Sequence, residues 1–143
     1  MAQENLEVVR AHFDAFNAFM RGEMSTDAYE ATFDPAVELN WHDQRTYPDT
    51  PQRLHGAAEI AAFSGRYRDE WADLEVEALE MTESATGRVM VLTRQSGRGR
   101  QSGVPIVIHY WGIWTVQDGQ VREVEYFRHR ADALEAAGVE DRP

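Results

Sequence analysis

"VPIVIHYWGIWTVQDGQVREVEYF", Val104 to Phe127, reads as the two arms of a β-hairpin. The first arm, Val104 to Val116, is nearly all apolar or aromatic. Gln117-Asp118-Gly119-Gln120 follows, and Asp-Gly supplies the two positive-φ residues of a tight hairpin turn. The second arm alternates. Glu123, Glu125 and Phe127 share one face, and Arg122, Val124, Tyr126 and Arg128 share the other. An arm as apolar as the first must be covered on both sides. Helices supply one cover. Too few further elements remain for the second, so another copy of the chain is expected there.

Upstream of the hairpin, Leu74 to Met81 alternates and Arg88 to Ser96 is rich in β-formers, so both predict strands. "GRGRQSG" is a polar turn that leads into the long arm. These four strands predict a meander. Asn5 to Arg21 repeats Leu6, Val9, Phe13, Phe16 and Met20 at helical steps. Ser25, Thr26 and Asp27 cap a short second helix carrying Tyr29 and Phe33. "AVELNWHD" alternates Val37, Leu39 and Trp41 against Glu38, Asn40 and His42, a strand pattern. "QRTYPDTPQRLHG" predicts a loop with weak strand character. "AAEIAAFSGRYRDEW" predicts a third helix, and Ala131 to Ala137 a last one closed by Gly138. The expected fold class is α+β, with helices segregated from an antiparallel sheet, as one domain over residues 1–143.

The chain has 143 residues, no cysteine and a formal net charge of -11, and all 14 of its basic residues are arginine. Without cysteine there is no disulfide, thiolate metal site or thiol nucleophile. Without lysine there is no side-chain Schiff base. The negative charge disfavours nucleic acid and anionic membranes as partners. The five histidines show no metal-ligand spacing, so no metal is expected. No apolar run has the length of a membrane span. "MAQENLEVVR" reads as helix rather than leader, and a cytoplasmic location is the expectation.

"FDPAVELNWHD", "LHGAAEIAAF", "WTVQDGQVREVEYF" and "RADALEAAG" together resemble the SnoaL-like branch of the nuclear transport factor 2-like superfamily. The likeness runs from about Leu6 to Gly138. It implies a cone-shaped α+β barrel, with a curved sheet wrapped around the long N-terminal helix and a deep apolar pocket. Homodimers through the outer sheet face are common in that group. Its members include polyketide cyclases, ketosteroid isomerase-like enzymes and limonene epoxide hydrolase. The resemblance therefore implies cofactor-free acid–base chemistry on a small apolar metabolite. A non-catalytic ligand-binding or dimerisation module of the same fold is the alternative.

Glu125 matches the acidic residue that such enzymes place on the last strand. A carboxylate in an apolar cone has a raised pKa and can trade protons near neutrality. Glu123, on the same face, is a secondary candidate. Arg94, in "TRQS", matches the arginine that orients the acids in the epoxide hydrolases, although Ser96 replaces their second acid. Asp43 shares a face with Trp41; it either points inward as a second acid or caps the following loop. Phe16, Trp41, Phe63, Tyr67, Tyr110, Trp114 and Phe127 are expected to line the pocket. Gly112 shares the pocket face with Tyr110 and Trp114 and is expected to enlarge the cavity. His109 is expected on the outer face. Val107, Trp111, Ile113, Val124 and Tyr126 are expected under a partner subunit.

Overall fold

The apolar stripe of the first helix folds as its period requires. In the computed structural model, which describes residues 2–41 and 53–138, α1 runs Ala2–Met20. Val9, Phe13 and Phe19 are buried along it. The helix ends at Gly22, whose φ of 76° suits a residue without Cβ. The Glu23 amide closes the turn by donating to the Ala18 carbonyl at 2.8 Å. Helix α2, Thr26–Glu30, is capped by the Ser25 hydroxyl, which accepts from the Ala28 amide.

Strand β1 (Phe33–Trp41) follows directly. A short β2 (Arg53–His55) pairs antiparallel with it, where the sequence predicted a loop of weak strand character. Helix α3 is Ala57–Glu70. The meander is β3 (Trp71–Glu83), β4 (Val89–Gly99), β5 (Pro105–Gln117) and β6 (Gln120–Phe127). Asp118 and Gly119 make the β5–β6 turn with φ of 52° and 76°. Helix α4, Arg130–Ala137, ends on Gly138 in the left-handed conformation.

The sheet order is β2-β1-β6-β5-β4-β3. Pairing is antiparallel except between β1 and β6, which run parallel in the register Leu39 to Val124 and Trp41 to Tyr126. The fold is α+β, as expected. The sheet is mixed rather than antiparallel, and it is open rather than a closed barrel, with β2 and β3 at its edges. One bare edge is blunted by a side chain. Asn17 Nδ2 donates to the Val76 carbonyl and the Val76 amide donates to Asn17 Oδ1, both at 2.9 Å. The α1 amide thus stands in for a neighbouring strand.

Two apolar clusters lie on opposite faces of the sheet. The larger joins α1, α2 and α3 to the inner face, with Val37, Leu39, Val89, Val91, Trp114, Val121 and Val124 in it. The smaller packs Met90, Trp111 and Ile113 of the outer face under Ala133, Leu134 and Ala137 of α4. Part of the second cover therefore comes from the chain itself. Trp111 and Ile113, expected under a partner subunit, lie beneath this helix. The outer face near the start of β5 is uncovered, with Val104 and Val107 54% and 59% exposed. Among the described residues no helix is long and apolar enough to cross a membrane.

Candidate functional site

Alternation along the strands decides what the inner face carries. On β4, Val89, Val91, Thr93 and Gln95 are buried, while Arg94 between them is exposed. On β5, Tyr110 and Trp114 point inward. On β6 the alternation is interrupted. The pairing slips between Thr115 and Val116, so that Val116 faces Val121 but Thr115 faces Glu123. This bulge inserts one residue. It leaves Val121, Val124 and Tyr126 on the inner side although Val121 and Val124 are three apart.

These inner residues, with α1 and α3, surround a cavity of about 800 Å³ counted out to its open mouth. Phe16, Trp41, Phe63, Tyr67, Tyr110 and Trp114 line it. Phe127 does not; it packs against the smaller cluster beside α4. Trp41 stacks on Tyr126 at 4.1 Å, and Tyr110 stands edge-on to Tyr126 at 5.3 Å. Gly112 is on this side, but it does not widen the space. A Cβ there would lie 2.9 Å from Trp114 Nε1. The glycine makes room for the indole, whose Nε1 is buried with no hydrogen-bond partner among the described residues.

Glu125 and Glu123 face away from the cavity. Arg88 holds Glu125 Oε2 at 3.2 Å and lies 3.6 Å from Glu123 Oε1. The same guanidinium donates to the Ala136 carbonyl at 2.7 Å. The expectation that the Glu125/Phe127 face forms the pocket side is thus reversed. Val124 and Tyr126, expected under a partner, are on the cavity side. The physical reason is that both faces of β6 are half-buried, one by α1 and the other by α4. Arg94 does not reach Glu125. It pairs with Glu77 across the exposed face of β3 and β4. His109 is exposed beside it, in register with Arg94 on the outer face. Asp43 lies outside the described residues.

The polar content of the cavity comes from residues the sequence reading did not single out. His12 is 5% exposed and sits among Phe33, Tyr29 and Trp114, with ring centroids at 4.4, 5.9 and 5.1 Å. Burial lowers its pKa from 6.5 to about 3, so the imidazole is neutral. The Thr32 hydroxyl gives its one proton to the Tyr29 carbonyl at 2.7 Å. Its contact with His12 Nδ1 at 3.3 Å is therefore assigned as His12 donating. That leaves a lone pair on Nε2. Ser64 bonds the Tyr29 phenol, whose pKa burial raises. At another wall, Gln95 Nε2 donates to Tyr67 Oη at 2.7 Å and Tyr110 donates to Gln95 Oε1 at 3.3 Å. Burial pushes the Tyr67 hydroxyl up to about 12. No carboxylate and no arginine lines the cavity among the described residues. No cluster of three or more metal-ligating side chains occurs among them either.

His12 did leave a signal in the sequence. It stands within the apolar stripe of α1, between Val9 and Phe16 at helical steps, and a titratable group there must be buried. Gln95 did so too, as the one amide in phase with Val89, Val91 and Thr93.

A family model described as "SnoaL-like domain" matches residues 9–124. Similar solved structures include a proposed SnoaL-like polyketide cyclase from Jannaschia sp. CCS1. It is 23% identical, with 99% of this chain and 96% of that one covered and a TM-score of 0.71. A protein with a ketosteroid isomerase-like fold from Catenulispora acidiphila DSM 44928 is 12% identical, covers 96% and 98%, and gives 0.69. SalBIII, an epoxide hydrolase/cyclase-like enzyme in pyran ring formation in the polyether salinomycin, is 16% identical, covers 91% and 94%, and gives 0.69. At these identities the likeness is one of fold. No curated protein matches.

Proposed function

Because the chain belongs to the SnoaL-like domain family, we propose that it binds a small, uncharged, mainly apolar metabolite in the cavity and catalyses proton transfer on it. The observation that carries this reading is the make-up of the walls. Aromatic side chains dominate, no charged side chain is present among the described lining residues, and hydrogen-bonding groups are few and fixed. Such a site favours neutral ligands, because a charged one would lose its hydration without a counter-charge. The reaction class is isomerisation, aldol-type cyclisation, dehydration or epoxide opening, as among the structural neighbours.

In this proposal the groups divide the work. A neutral imidazole of such low pKa is a poor base for a carbon-bound proton. It is well suited to accept a hydrogen bond from a ligand hydroxyl at Nε2, its other nitrogen being tied to Thr32. The proton acceptor in the proposal is Asp43, two positions beyond the cavity residue Trp41 in sequence. Glu125 and Arg94 are given no part in the chemistry. A homodimer through the uncovered outer face of β5 belongs to the same proposal, since Val104 and Val107 are exposed there.

The test uses β-tetralone, a neutral bicyclic ketone with exchangeable α-protons. In deuterated water, the protein should speed α-exchange above buffer, Asp43→Asn should abolish the acceleration and His12→Gln should reduce it. An unaccelerated exchange with bound ketone would remove the catalytic claim. It would leave the second reading, ligand binding without turnover. That reading is favoured by the neutral His12 and by the lack of a carboxylate among the described lining residues.

A further inference from the structure

The hydrogen bonds around Tyr67 leave a proton to account for. Tyr67 projects from α3 into the cavity wall. Its oxygen accepts from Gln95 Nε2 at 2.7 Å and from the Trp71 side chain. An amide nitrogen and an indole N–H can only donate. Both lone pairs of the phenol oxygen are therefore used, and its own proton goes to none of the described partners. Gln95 cannot reverse its role, because its carbonyl oxygen already accepts from Tyr110 at 3.3 Å. Gln95 is also 4% exposed, so water does not reorient it. The chain of donors thus runs one way, from Tyr110 through Gln95 to Tyr67.

We infer that Tyr67 is the specificity-determining donor of this cavity, and that it selects ligands carrying a carbonyl oxygen, with Gln95 as its positioning residue. This rests on the reading of the cavity as a ligand site. The physical grounds are three. Donors onto a hydroxyl oxygen polarise its O–H and strengthen the bond it gives. Burial keeps the phenol protonated at any ordinary pH, so it donates rather than accepts. A ligand amine or ammonium would oppose one donor with another, whereas a carbonyl oxygen offers lone pairs and no proton. A carboxylate would satisfy the donor too, but no cation among the described lining residues offsets its charge.

The experiment compares β-tetralone with tetralin, the hydrocarbon of the same shape, by quenching of Trp41 and Trp114 fluorescence. The quantity read is the ratio of the two affinities. Tyr67→Phe should lower that ratio about tenfold, the size of one buried hydrogen bond, by weakening the ketone alone. Gln95→Met should give an intermediate ratio. The infrared carbonyl stretch of the bound ketone supplies a readout that packing does not move. It should fall below its value in hydrocarbon solvent, and return towards it in Tyr67→Phe. If both ligands bind and neither the ratio nor the stretch responds to Tyr67→Phe, the inference is wrong and the cavity reading stands. If neither ligand binds, the cavity reading fails and takes the inference with it. Should Tyr67→Phe not fold, an unshifted carbonyl stretch on the wild-type protein overturns the inference alone.

Discussion

Arg88→Met tests whether the Glu125 side of the sheet is structural. Arg88 joins three elements. It reaches the Ala136 carbonyl in α4 at 2.7 Å, Glu125 on β6 at 3.2 Å and the Thr115 hydroxyl on β5 at 3.5 Å. Its side chain and that of Glu125 are 29% and 18% exposed. Methionine keeps the apolar stem and removes only the guanidinium. A charge-assisted bond to a carbonyl contributes about 1.5–3 kcal/mol. A half-buried ion pair adds roughly 1 kcal/mol, near the top of the range for exposed pairs. The expected loss is about 3 kcal/mol by urea unfolding, or on the order of 10 °C in Tm for a domain of this size. A cycle with Glu125→Gln should show coupling of about 1 kcal/mol. Hydrogen exchange should locate the change, with amides of α4 losing protection before those of β4. A loss under about 0.5 kcal/mol with α4 fully protected would refute the clamp.

Three further expectations follow from single contacts. His12 is neutral when folded, so below the unfolded pKa of 6.5 only the unfolded chain takes up its proton, down to about 3. Stability should therefore fall with acidification across that window by up to ~1.4 kcal/mol per pH unit from this group. The difference between wild type and His12→Gln should show that slope, and parallel pH curves would contradict it. Gly112→Ala places a Cβ 2.9 Å from Trp114 Nε1. It should cost about 1–3 kcal/mol by overpacking and blue- or red-shift the tryptophan emission, whereas unchanged stability and emission would mean that the indole sits elsewhere. Asn17→Ala strips both bonds from the Val76 edge of β3 and should cost about 2 kcal/mol; an unchanged urea midpoint would show that edge to be covered otherwise.

The order of elements was legible because each has a local cause. Asp118-Gly119 sets the last hairpin, Gly138 closes α4, and the spacing of Val9, Phe13 and Phe16 sets α1. The face of β6 was not legible. Alternation correctly grouped Glu123, Glu125 and Phe127, but a strand covered on both sides gives no polarity to its own pattern. Helix α4 buries one side under Leu134 and Ala137. The bulge opposite Val116 also breaks the phase between Val121 and Val124. Nothing local announces either event. Arg94 misled for a related reason: its neighbours Thr93 and Gln95 are the inward pair, and polar side chains on β4 were read as outward. The parallel pairing of β1 with β6 comes from chain crossing, which no short stretch encodes. The aromatic walls were easier, since large rings spread over α1, β1, α3 and β5 converge wherever a sheet curves over a helix.

The account's central claim is that the working site is the cavity beneath α1 and α3 and not the Arg88–Glu125 side. The most direct measurement is a crystal structure with β-tetralone bound. The account predicts the ketone among Trp41, Phe63 and Tyr126, with its oxygen about 2.8 Å from Tyr67 Oη. Density for the ketone beside Glu125 and Arg88, or an unfilled cavity at saturating ketone, would contradict it.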